Sequence, residues 1–117
     1  MNLDRVNSEL KRQIALMIDN SEIKDPRLQG MISVTGLNTS KDLAYATVYI
    51  SVLGGDIKDT LAVLKNASGH IRNTLKSRVK IRNMPELRFV RDDSIEYGLK
   101  MDKLIDGVIG KDNENNN

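Results

Sequence analysis

One histidine, His70, a pair of adjacent carboxylates, Asp92 and Asp93, and a Gly54-Gly55 dipeptide are the residues of this 117-residue chain whose types could do chemistry at a small site. Each signal is weak. A metal centre or an acid-base apparatus needs several groups converging on one point, and His70 has no second ligand at metal spacing. Neighbouring side chains on a chain point apart, and Asp92-Asp93-Ser94 has the composition favoured at a helix start, so capping is the expected work of these acids. Gly54-Gly55 lacks the surrounding glycine pattern of a dinucleotide or nucleotide loop and reads as a turn. The chain has no cysteine, which removes disulfides, thiolate zinc sites and thiol nucleophiles together and fits a reducing compartment. The expectation is a non-catalytic protein with no metal and no cofactor.

The stronger signal is charge. The chain carries only +2 overall, but residues 65–91 hold Lys65, Arg72, Lys76, Arg78, Lys80, Arg82, Arg88 and Arg91 against Glu86 alone, a local +7. The segment 92–117 comes to -4, and the first 64 residues are close to neutral. A localised positive field attracts a polyanion even when the whole molecule is nearly neutral. Cations clustered on one surface are what phosphate neutralisation by a nucleic-acid-binding protein requires. His70 sits among them and can donate to a phosphate or stack on a base. Arg72, Lys76 and Lys80 follow at four-residue steps and form one stripe if a helix carries all three, with Arg78 and Arg82 beside it.

These residues need elements to position them. Leu3, Val6, Leu10, Ile14, Met17 and Ile18 recur at three- and four-residue steps, predicting a helix from about Asn2 to Asn20, ended before Asp25-Pro26. Met31–Leu37 is rich in β-branched residues, Asn38–Asp42 supplies turn formers, and Leu43–Leu53 alternates strictly, which together predict a hairpin. On the second strand Ala44, Ala46, Val48, Ile50 and Val52 share the face expected to meet helices. Tyr45 and Tyr49 lie opposite, either covering the back of the sheet or offering a platform. Asp56 is a plausible N-cap for a helix bearing Ile57, Leu61 and Leu64. Gly69 costs about 1 kcal/mol relative to alanine inside a helix, yet the apolar pattern resumes at Ile71, Leu75 and Val79. Two helices meeting at a kink at Ala67-Ser68-Gly69 fit better than one, and a β-branched residue at position 69 is expected to disturb that joint. Leu87–Val90 predicts a third strand with Phe89 in the core, and Ile95, Leu99, Leu104, Ile105 and Val108 a terminal helix. The tail 111–117 is rich in asparagine and expected to be disordered. The whole is an α+β fold, with three strands covered on one face by helices, in a single domain over residues 1–110. The N-terminus lacks the apolar run of a signal peptide. No stretch approaches the roughly 20 apolar residues of a membrane span, so a cytoplasmic protein with no membrane partner is expected.

Asp25-Pro26-Arg27-Leu28, the strand Tyr45-Ala46-Thr47-Val48-Tyr49-Ile50-Ser51-Val52-Leu53-Gly54, and Pro85-Glu86-Leu87-Arg88-Phe89 with Asp92-Asp93-Ser94 together resemble the ribosome-binding factor A family, over roughly Val6 to Ile105. The resemblance implies a type II KH-like domain of order helix-strand-strand-helix-kink-helix-strand with a mixed three-stranded sheet. In it an Ala-x-Gly kink, here Ala67-Ser68-Gly69, replaces the Gly-x-x-Gly loop with which KH modules clamp nucleic-acid backbone. It also implies binding to free small ribosomal subunits and their rRNA, help in late maturation and 5'-end processing of that rRNA without nuclease activity, a functional link to maturation GTPases, a role in growth at low temperature, and a monomer in the bacterial cytoplasm. On this reading Lys65, His70, Arg72, Lys76, Arg78, Lys80 and Arg82 face rRNA phosphates, and Arg88 and Arg91 extend the patch from the third strand. The alternative from another class is a protein-interaction module whose basic face recruits an acidic partner and whose terminal helix, residues 95–109, supplies the apolar contact.

Overall fold

In the computed structural model, which describes residues 2–94, the first helix begins where asparagine can start one. The Asn2 side chain accepts from the backbone N–H groups of Asp4 and Arg5 at 2.9 and 3.3 Å, satisfying two donors that the first turn leaves unpaired. The helix α1 spans Leu3–Asp19 and buries Val6, Leu10, Ile14 and Met17, the stripe read from its spacing. After it, Asp25 closes a turn by accepting from the backbone N–H and the guanidinium of Arg27, and Leu28 N–H donates to the Asp25 carbonyl. This chain of local bonds carries the backbone from the helix to the sheet.

The strands β1 (Met31–Thr39) and β2 (Tyr45–Leu53) pair antiparallel, and β3 (Glu86–Arg91) pairs parallel with β2, giving the sheet order β1-β2-β3. The expected mixed sheet is therefore present. The hairpin differs from its sequence reading in two places. Asn38 and Thr39 belong to β1, held opposite Thr47 and Ala46, and β2 starts at Tyr45, two residues later than expected. The reason lies in the turn: Ser40 and Asp42 side chains accept from the backbone N–H groups of Tyr45 and Ala44, and Leu43 is turned to a φ of 62°. A register shift between Val34 and Gly36 bulges β1 at Thr35, so Val34 before it and Leu37 and Thr39 after it all face the helices.

Asp56 caps α2 (Ile57–Asn66), accepting from the N–H groups of Lys58 and Asp59 at 2.8 and 3.1 Å. A single residue, Ala67 at φ -87° and ψ 0°, separates α2 from α3 (Ser68–Arg78). Ala67 N–H still donates to Val63 and its carbonyl accepts from Ile71, so the joint bends the helical path with little loss of hydrogen bonding and no intervening loop. The expected sensitivity of Gly69 is corrected here. Gly69 lies in the first turn of α3 without positive φ, and a Cβ built on it meets nothing within 4 Å. The joint depends on Ala67, not on glycine's conformational freedom. Gly55 is the reverse case, because a Cβ there would collide with the Gln29 carbonyl. Gly54-Gly55 is thus a turn packed backbone to backbone, the role its sequence suggested.

The helices α1, α2 and α3 lie on one face of the sheet. Leu10, Ile14 and Met17 from α1, Val63 and Leu64 from α2, and Ile71 and Leu75 from α3 close over Val34, Ala46, Val48, Ile50, Leu87 and Phe89 in one aliphatic core with a single aromatic ring. The expected terminal helix and the asparagine tail lie outside the described residues.

Candidate nucleic-acid interface

The joint at Ala67 determines where the cations point. Ile71 and Leu75 anchor α3 to the core, and Lys76, the residue after Leu75, is exposed on the outer side of the helix. Lys65 occupies the last turn of α2, just before the joint, and His70 follows just after it; both are exposed. The helix stops at Arg78 because Val79 turns to an extended conformation, at φ -123° and ψ 126°, to bury its side chain. Lys80 and Arg82 therefore leave the helix, and the expected stripe of Arg72, Lys76 and Lys80 along one helix is corrected to a helical part and a following loop. Lys80 and Arg82 are exposed in that loop. Among the described residues, Lys65, Lys76, Lys80 and Arg82 form no ion pair, so their ammonium and guanidinium groups face solvent unneutralised.

The other predicted cations have partners or a different address. Arg72 Nε and Nη2 donate to the Met84 carbonyl at 3.2 and 2.7 Å, which pins the loop before β3 onto α3. Arg78 forms a two-pronged pair with Glu22 at 2.6 and 3.3 Å, joining the end of α3 to the segment after α1. Arg88 lies on the opposite side of the sheet. It alternates with the buried Leu87 and Phe89, and its guanidinium rests 3.5 Å from the centroid of the Tyr45 ring. Such a cation–π contact at an exposed site contributes roughly 0.5–1 kcal/mol. Arg91, at the end of β3, pairs with Asp93 at 3.2 Å. The sequence cluster is thus one run of charge distributed over two faces.

Sequence reasoning missed one member. Arg5, in the first turn of α1, lines a groove with Arg78 and Lys80, beside Val6, Glu9 and Val79. Its own segment is charge-balanced, so a running count gives no sign of it. Only the packing of α1 against α3 brings it to the basic surface. Glu9 in the same groove is a carboxylate held below its ordinary pKa, chiefly by the hydrogen bond from Arg12 and next by that from Gln13.

Among the described residues no group of three or more His, Cys, Asp or Glu side chains could hold a metal ion. Asp92 accepts from the Ser94 N–H at 2.9 Å, and hydrogen bonds from Thr35 and Ser94 hold its pKa below the ordinary carboxylate value; the helix it is expected to cap lies outside the described residues. Among the described residues no helix is long and apolar enough to cross a membrane.

A family model for ribosome-binding factor A matches residues 2–105. Ribosome-binding factor A of Clostridium beijerinckii is 49% identical over 113 residues, covering 94% of each chain, and that of Clostridioides difficile is 44% identical, covering 96% of this chain and 88% of the relative. The crystal structure of the Thermus thermophilus factor superimposes with a TM-score of 0.69 at 28% identity, over 78% of this chain and 97% of that one. A homology model of the Thermus thermophilus factor, fitted into a cryo-electron microscopy map of its complex with the 30S subunit, superimposes at 0.62 with 29% identity, over 74% of this chain and 91% of that one. With the family model and these relatives matching over most of its length, the chain belongs to the ribosome-binding factor A family.

Proposed function

We propose that this protein binds free small ribosomal subunits through the helix–kink–helix face and helps late maturation of their rRNA, including processing of its 5' end, without cleaving RNA itself. The observation that carries the reading is the set of unneutralised cations, Lys65 and Lys76 on the two helices and Lys80 and Arg82 in the loop after them, on a member of a family named for ribosome binding. The Thermus relative fitted into a 30S complex supports the small subunit as the partner. The Ala67 joint leaves no loop to clamp single-stranded backbone between α2 and α3, so at the joint rRNA shape and phosphate charge are the recognised features. The protein acts as a monomer in the cytoplasm, and its link to maturation GTPases and to growth in the cold follows from the same family role.

Co-sedimentation tests this directly. Wild-type protein should travel with free small subunits and not with whole ribosomes, and a variant with Lys76, Lys80 and Arg82 changed to glutamate should be lost from the subunit fraction. Equal association of the variant would remove the basic face from the account. Association that survives digestion of accessible RNA would assign the contact to ribosomal proteins.

A further inference from the structure

The groove that contains Arg5 has a chemistry of its own. It is an open groove between the first turns of α1 and the end of α3, with a volume of about 420 Å³. Val6 and Val79 form an apolar floor, and the aliphatic stems of Arg5 and Lys80 rise beside it, since long cationic side chains lay their methylenes on apolar surface and keep their charges in water. Neither Arg5 nor Lys80 forms an ion pair among the described residues, while Arg78 is held by Glu22 and Glu9 by Arg12. The groove therefore offers Lys80 and Arg5 above an apolar base; Arg5 also helps lower the pKa of Glu9 in the same lining, but that carboxylate takes its hydrogen bonds from Arg12 and Gln13 and leaves the Arg5 guanidinium without an ion pair among the described residues.

We infer that this groove holds one unpaired nucleotide of an RNA strand leaving the basic face of α3, with the phosphate at Arg5 and Lys80 and the base against Val6 and Val79. The inference rests on the RNA-binding reading and adds a site to it. A paired base shows only its edges in the duplex grooves, so a concave apolar floor is reached by a base face only when the base is unstacked, whereas a duplex phosphate ridge meets the rim alone.

The test uses the full chain with methyl-labelled valine and three probes: hexa-adenylate, the same strand with abasic positions, and a short RNA duplex. Hexa-adenylate should shift the Val6 and Val79 methyl resonances by ring current, and the abasic strand and the duplex should not. Arg5→Ala should weaken hexa-adenylate binding roughly tenfold, the order of one charge-assisted phosphate contact, with an unchanged melting temperature. Binding of hexa-adenylate without movement of the two valines overturns the inference, as does an Arg5→Ala loss that is equal for duplex and single strand. If hexa-adenylate does not bind but free subunits do, the groove site is wrong and the RNA-binding surface stands; if neither binds, the RNA-binding reading fails with it.

Discussion

At the residue scale, two glycines separate what the fold needs from what it tolerates. Gly30 has a φ of 80° and packs against the backbone of Leu53 and Gly54, so Gly30→Ala should destabilise by more than about 1 kcal/mol, read as a lower melting temperature. Gly69 has open space and ordinary helical conformation, so Gly69→Ala should raise stability by about 0.5–1 kcal/mol. A matched contrast holds for two cations. Arg72→Ala removes both donors from the Met84 carbonyl and should cost roughly 1–3 kcal/mol, while Lys76→Ala, exposed and unpaired, should leave the melting temperature within about 0.5 kcal/mol of wild type. Residue type and position were legible for all of these. What each side chain touches was not, because Arg72 and Arg78 have the same sequence signature as Lys76 and acquire their partners, Met84 and Glu22, only when distant segments pack together.

At the scale of elements, periodicity carried far. Strict alternation located β2, three- and four-residue spacing located α1, and Asp56 at the start of α2 is the cap its type suggested; that Asn2 caps α1 rather than opening it was not read from the sequence. The misses are places where side chains take over backbone hydrogen bonding. The β1 bulge at Thr35 has no signature in the alternation, and Ser40 and Asp42 pull Leu43 out of the strand that its apolar side chain suggested. The same turns predict a pH dependence. Hydrogen bonds lower the pKa of Asp25, chiefly from Arg27, of Asp42, chiefly from Ser40, and of Asp92, chiefly from Thr35. A carboxylate whose pKa is lower when folded stabilises the fold above its unfolded value, here 3.8, and that contribution disappears as pH falls through the folded value. The melting temperature should therefore decline as pH drops below about 4, following those carboxylates. Asp42→Asn should make the decline smaller, and an unchanged profile in that variant would exclude the Asp42 contribution.

At the scale of the whole molecule, a one-sided helical layer forces the basic run onto two surfaces. Lys65, Lys76, Lys80 and Arg82 follow the helices, and Arg88 emerges through the sheet onto Tyr45 on the far side. The charge count along the sequence detected the cluster and could not divide it, because strand alternation places neighbours on opposite faces while the helical joint gathers residues from both of its arms. This division makes the helix–kink–helix assignment testable by a single comparison: the dependence of free small-subunit affinity on salt concentration for wild type, Lys76→Ala and Arg88→Ala. Each phosphate contact contributes about one to the slope of log affinity against log salt. A helix-side interface predicts a steep wild-type slope that Lys76→Ala reduces by about one and Arg88→Ala leaves unchanged. A slope that falls with Arg88→Ala and not with Lys76→Ala, or a wild-type affinity indifferent to salt, would contradict it.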